Sequence, residues 1–132
     1  MTITPGIKNE KQLIVTDELT AAHIGSGLAR VFATPMMISL MESTCSEGMT
    51  PYLEEGQSTV GTHIDVAHSA ATPVGMKVRC ESELVEIDRR RLVFEVRVYD
   101  EVELIGNGRH ERFIIDSAKF QAKVDGKSSV IK

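Results

Sequence analysis

The chain has no tryptophan, only 5% aromatic residues, and two cysteines in 132 residues. Cys45 and Cys80 lie far apart and match no C-x-x-C or zinc-ligand spacing, which argues against a disulfide scaffold or zinc ribbon and fits a reduced, cytoplasmic setting. No run approaches the ~20 apolar residues that span a bilayer, and the opening MTITPGIKNEKQ has neither the basic nor the apolar region of a secretory signal. The chain is therefore expected to be neither exported nor embedded in a membrane. An excess of base is also missing. With 15 Lys plus Arg against 19 Asp plus Glu, the net charge of -4 argues against nucleic acid, whose affinity for proteins comes largely from neutralised phosphates. There is no G-x-S-x-G nucleophile elbow, and Gly25-Ser26-Gly27 lacks the third glycine and the strand-turn-helix setting of a dinucleotide fingerprint.

What is present is an ordinary apolar content of 42%, enough at this length for a single domain over residues 1–132 with a core of its own. The charges are unevenly placed. Between Arg30 and Lys77 there is no lysine or arginine, whereas exposed helices carry both signs on their solvent face, so the block is expected to be internal. Its acids, Glu42, Glu47, Glu54, Glu55 and Asp65, have no basic neighbour in sequence. Any of them that is buried must find a partner in space or change its pKa.

KQLIVT at 11–16 reads as a short strand. Thr34 as N-cap and Pro35 at N1 then start a long helix that Pro51 and Gly56 bracket at its end. Met36, Met37, Leu40, Met41, Cys45, Met49 and Leu53 form its apolar arc, opposite a small polar arc of Ser39, Ser43, Ser46 and Thr50. Four strands are predicted at 57–69, 75–87, 90–103 and 107–122, with a tight hairpin at Asp88-Arg89-Arg90. One strand, a long helix and four long strands make an α+β fold whose antiparallel sheet can curl around the helix.

Three residues stand out chemically. His68 alternates with Thr62, Ile64 and Val66 toward the core, while His63 and Asp65 take the other face, which opposes reading H-x-D-x-x-H as a metal site. Glu42 sits at the edge of the helix's apolar arc with no base at i±3 or i±4, and it could pair with an inward histidine. The Thr34 hydroxyl lies at a helix start, where N–H groups favour developing negative charge, although capping alone would explain it. Regular helix puts Thr34 and Glu42 about 12 Å apart, so they cannot touch unless the entering chain folds back, though a substrate or a second subunit could bridge them.

From about Val31 to Val124 the chain resembles the fluoroacetyl-CoA thioesterase-like group of hotdog-fold proteins, through VFATPMMISLME, PYLEEGQSTVGTHIDVAHSAATPVG, RRLVFEV and GNGRHERFIIDSAKFQAKV. The resemblance implies a hotdog fold, an antiparallel sheet wrapped around a long central helix, and hydrolysis of a short-chain acyl-CoA. It places Thr34, Glu42 and His68 in the catalytic set and Gly61 in the acyl site, and it implies a homodimer, or a dimer of dimers, with active sites at the subunit interface. In this scheme Glu42 attacks the carbonyl or activates water, His68 shuttles the proton, and Thr34 positions the glutamate or the carbonyl.

Phe32 and Arg112 are expected to bind substrate, no metal or cofactor is expected beyond the coenzyme A of the substrate, and Arg89–Arg91, Arg109, Arg112 and Lys119 are candidates for the CoA phosphates. The family's fluorine-selective member carries an aromatic-rich lid before F-A-T; AAHIGSGLARVF holds only Phe32, so a different short acyl group is expected. The competing expectation is a hotdog module that binds acyl-CoA without cleaving it. Hydratase chemistry is disfavoured, because the D-x4-H and H-F-P-G patterns are missing.

Overall fold

The computed structural model describes residues 2–131. Strand β1 (Lys8–Ile14) leads through a short turn and helix α1 (Ala21–Ile24) to the long helix α2 (Thr34–Met49). Strands β2 (Gln57–His68), β3 (Lys77–Asp88), β4 (Arg91–Tyr99) and β5 (Leu104–Asp116) follow, and helix α3 (Ser117–Ser128) closes the order. The strands form one sheet in the order β1-β3-β4-β5-β2, every neighbouring pair antiparallel.

The core lies between α2 and the concave face of the sheet. Met37, Leu40, Met41, Cys45 and Met49 bury against Val78, Cys80 and Leu84 of β3, Phe94, Val96 and Val98 of β4, and Ile105 of β5. Flexible methionines fill the space that tryptophan would occupy in many cores of this size. The inward positions of β1 are partly polar: Asn9 donates to the Thr44 carbonyl and Lys11 Nζ pairs with Glu47 on α2. That explains why β1 begins at Lys8 and ends at Ile14 rather than spanning 11–16. Its ladder with β3 starts at Lys8 opposite Glu83, in a stretch with no apolar alternation to reveal it.

Two other boundaries differ from the sequence expectation for identifiable reasons. The strand expected at 90–103 stops at Tyr99, because the Asp100 carboxylate accepts the N–H groups of Val102 and Glu103 and closes a turn. The strand expected at 107–122 runs from Leu104 to Asp116, whose side chain accepts from Lys119 N–H and so caps a helix that alternation did not disclose. The tight hairpin stands as expected, with Arg89 at φ 59°.

The basic-free block is not internal in the single chain. β2 is an edge strand, Gly61 to Asp65 are exposed along it, and Thr34 and Ser39 on α2 are exposed too. A bulge interrupts β2 between Gly61 and His63, leaving Thr62 without a partner on β5. The extra residue shifts the alternation by one. Thr59 and Gly61 lie opposite Ile114 and Arg112 on the core side before it, and Ile64, Val66 and His68 lie opposite His110, Gly108 and Gly106 after it.

Candidate active site

The expected helix start is one residue out. Ala33 is the N-cap of α2, its carbonyl accepting from Met36 and Met37, and Thr34 is the first helical residue. Its hydroxyl is therefore free of capping. It lies 2.7 Å from His68 Nδ1, at the end of the sheet where β2 finishes. Phe32, 1% exposed, presents its ring edge-on to the imidazole at 6.5 Å between centroids, and these three residues line a cleft of about 310 Å³. His68 Nε2 is buried and has no hydrogen-bond partner among the described residues. Burial lowers the pKa of His68, opposed by the Ala70 backbone, which disfavours the imidazolium.

Glu42 lies elsewhere. Its carboxylate opens into a separate cleft of about 240 Å³ with Ile38, Gly61, Ile64 and His110. The expected meeting of Glu42 with His68 does not occur within one chain: two turns of helix separate Thr34 from Glu42, and the histidines that share its cleft are His63 and the buried His110. The missing basic partner comes from β5, where Arg112 Nη1 is 3.9 Å from Glu42 Oε2. The Arg112 side chain is 8% exposed against 45% for Glu42, so the pair has a fixed base and a carboxylate open to the cleft.

Gly61 is required here by close approach. A Cβ at this position would sit 2.8 Å from Glu42 Oε2, 3.2 Å from His110 Cε1 and 3.4 Å from Arg112 Nη1. Arg112 is itself committed, donating from Nε to Thr59 Oγ1 at 2.8 Å and from Nη2 to the Thr59 carbonyl at 2.9 Å. A buried guanidinium cannot be a surface phosphate ligand, so Arg112 leaves the CoA-phosphate candidates and stands as the buried partner beside Glu42. Arg91 is held by Glu86 and Glu111, and Arg89 by Asp88. Among the described residues, Arg90, Arg109 and Lys119 have no ion pair.

No thiol competes as nucleophile, since burial raises the pKa of Cys45 strongly and that of Cys80 to about 11. His63 and Asp65 lie on the face of β2 away from His68, opposite Glu111 and Arg109. His110 was absent from the candidates read in the sequence. The signal was its period of two with Gly106, Gly108, Arg112 and Ile114, which marks it as inward but not as a neighbour of Glu42.

A curled antiparallel sheet around one long helix, with a hydroxyl–imidazole pair and an arginine-held carboxylate along one edge, defines a hotdog-fold protein of the thioesterase type. Residues 15–118 match the fluoroacetyl-CoA-specific thioesterase family, and the chain belongs to that family. It is 48% identical over 98 residues to a fluoroacetyl-CoA thioesterase of Streptantibioticus cattleyicolor, covering 74% of this chain and 70% of that protein. A solved structure of the fluoroacetyl-CoA thioesterase FlK superposes with a TM-score of 0.92 at 38% identity, over 96% of this chain and 98% of that one. A thioesterase superfamily member from Thermus thermophilus, 30% identical, superposes at 0.89 over 97% and 95%.

Proposed function

We propose that this protein is a cytoplasmic acyl-CoA thioesterase that hydrolyses a short acyl-CoA to the free acid and CoA, and that it works as a homodimer. The observation that carries the reading is the placement of Thr34–His68 and of Glu42–Gly61–Arg112 at two points along the exposed edge strand β2. Antiparallel pairing of two β2 edges about a twofold axis close to Ile64 and Asp65 brings Gly61 of one protomer near the end of the partner strand that carries the hydroxyl–imidazole pair. Each site then joins Glu42 from one copy with Thr34 and His68 from the other. An exposed edge strand of 12 residues is a template for such pairing.

In the reaction the acyl carbon gains an oxygen, from water or from Glu42, the C–S bond breaks, and CoA leaves as thiolate. Glu42 forms the new C–O bond itself, giving a mixed anhydride that water opens, or takes the proton of an attacking water. His68 takes up the proton that the water loses, directly or from Glu42, and passes it to the thiolate, while Thr34, within hydrogen-bond reach of His68, steadies the carbonyl as charge develops. The only aromatic residue in the stretch before the helix is Phe32, which is buried beside His68 rather than poised as a lid, so selectivity for fluoroacetyl-CoA is not expected. Of the bases expected to meet the CoA phosphates, Arg90, Arg109 and Lys119 have no ion pair among the described residues and are available to them.

The test is turnover of a panel of short acyl-CoAs. Glu42→Ala and His68→Ala are each expected to lower kcat by about 10²-fold or more, and full turnover by both would end the proposal. Stabilisation by acyl-CoA with no product would instead identify a binding module. Single turnover in ¹⁸O-water separates base catalysis, which puts ¹⁸O in the acid, from an anhydride that water opens at the Glu42 carbonyl, which puts ¹⁸O in Glu42 and leaves its former ¹⁶O in the first acid released.

A further inference from the structure

His110 is 1% exposed at the centre of β5 and is not used by the chemistry above. Its Nδ1 lies 2.8 Å from the carbonyl oxygen of His63, an atom that can only accept, so Nδ1 carries the proton. The remaining lone pair is on Nε2, which faces Arg112 Nη1 at 3.1 Å, a group that can only donate. Both neighbours demand the same tautomer. The carbonyl belongs to the residue at which β2 resumes its ladder after the bulge, so the orientation of the ring is tied to the irregularity that turns Ile64 and His68 inward.

Arg112 is thereby held at three atoms: Nε and Nη2 on Thr59, and Nη1 on His110. Nη1 has one further N–H, and the nearest carboxylate oxygen, Glu42 Oε2, is 3.9 Å away. We infer that His110 is a positioning residue that, as the neutral Nδ1–H tautomer, holds the Arg112 guanidinium so that its free N–H faces Glu42 and fixes where that carboxylate lies beside Gly61. Thr59 alone would leave Nη1 without a buried acceptor and the guanidinium free to tilt about its Nε–Nη2 edge. The catalytic consequence rests on the role of Glu42 proposed above; the tautomer and the restraint on Arg112 do not.

The test compares His110→Gln with His110→Phe in the full chain. Glutamine keeps one donor and one acceptor, whereas phenylalanine fills the ring volume with neither. Nitrogen-15 spectra at pH 7 are expected to show the Nδ1–H tautomer in the wild type, with slowly rotating, resolved Arg112 Nη signals that survive in His110→Gln and collapse in His110→Phe. With a short acyl-CoA, His110→Phe is expected to lose about tenfold or more in kcat with KM little changed, and His110→Gln to recover most of it. An Nε2–H tautomer or an imidazolium at pH 7 overturns the inference, as do unchanged Arg112 signals or an unchanged kcat in His110→Phe. A wild type that cleaves no acyl-CoA defeats the thioesterase reading separately, and the spectra still decide the positioning. If His110→Phe does not fold, His110→Met carries the same comparison.

Discussion

Thr34 shows how much a single residue's meaning depends on where a helix begins. One position earlier, as N-cap, its hydroxyl would be consumed by backbone N–H groups; as the first helical residue it faces His68 instead. Gly61 makes the same point about space. Its methyl-sized vacancy is occupied by the Glu42 carboxylate, so Gly61→Ala is expected to push Glu42 from its place and lower kcat by about 10²-fold. The loss should appear in the initial-rate assay with little change in Tm, since the flanking strand is exposed; a variant with normal kcat would refute this. Both interior histidines have pKa values lowered by burial. The unfolded chain, with His near ~6.5, binds protons at a pH where the folded chain resists them. The stability these groups contribute is thus fully present above about pH 6.5 and is lost as pH falls through their folded values. Thermal melts from neutral to mildly acidic pH should show Tm declining, and His110→Gln should flatten the decline.

At the scale of elements, β2 and α3 carry the lessons. Alternation by itself reads β2 correctly beyond the bulge, where Ile64, Val66 and His68 turn inward. It fails before it, because Thr62 breaks the period and puts Gly61 rather than its neighbours beside the helix. Alternation also carried the last strand six residues too far, through a segment that Asp116 converts to helix. Asp116→Ala is expected to remove about 1 kcal/mol from α3. Circular dichroism should register a loss of helix near the C-terminal end while kcat at saturating acyl-CoA stays unchanged, since α3 packs mainly on β5 and lines neither cleft. A drop in turnover equal to that of Glu42→Ala would contradict the assignment.

At the scale of the whole molecule, the exposed edge of β2 is the open question that a second copy answers in the proposed dimer. Ile64→Lys places a charge at the centre of that edge, 38% exposed in the single chain. Light scattering is expected to find a monomer, and hydrolysis to disappear with it, because neither chain alone brings Glu42 to Thr34 and His68; an active monomer would rule the composite site out. The sequence by itself determined the long helix, the antiparallel strands, the membership suggested by F-A-T, L-M-E and T-H-I-D-V-A-H, and the need of Glu42 for a distant base. These follow from local periodicity and residue type, which are written in order along the chain. Only the tertiary structure decided that the base is Arg112, that His110 stands between it and the β2 bulge, and that the block without Lys or Arg is an open edge rather than an interior. Those depend on which strands become neighbours and in what register. Arg112 meets Thr59 across 53 positions of the chain, a pairing that no local pattern records.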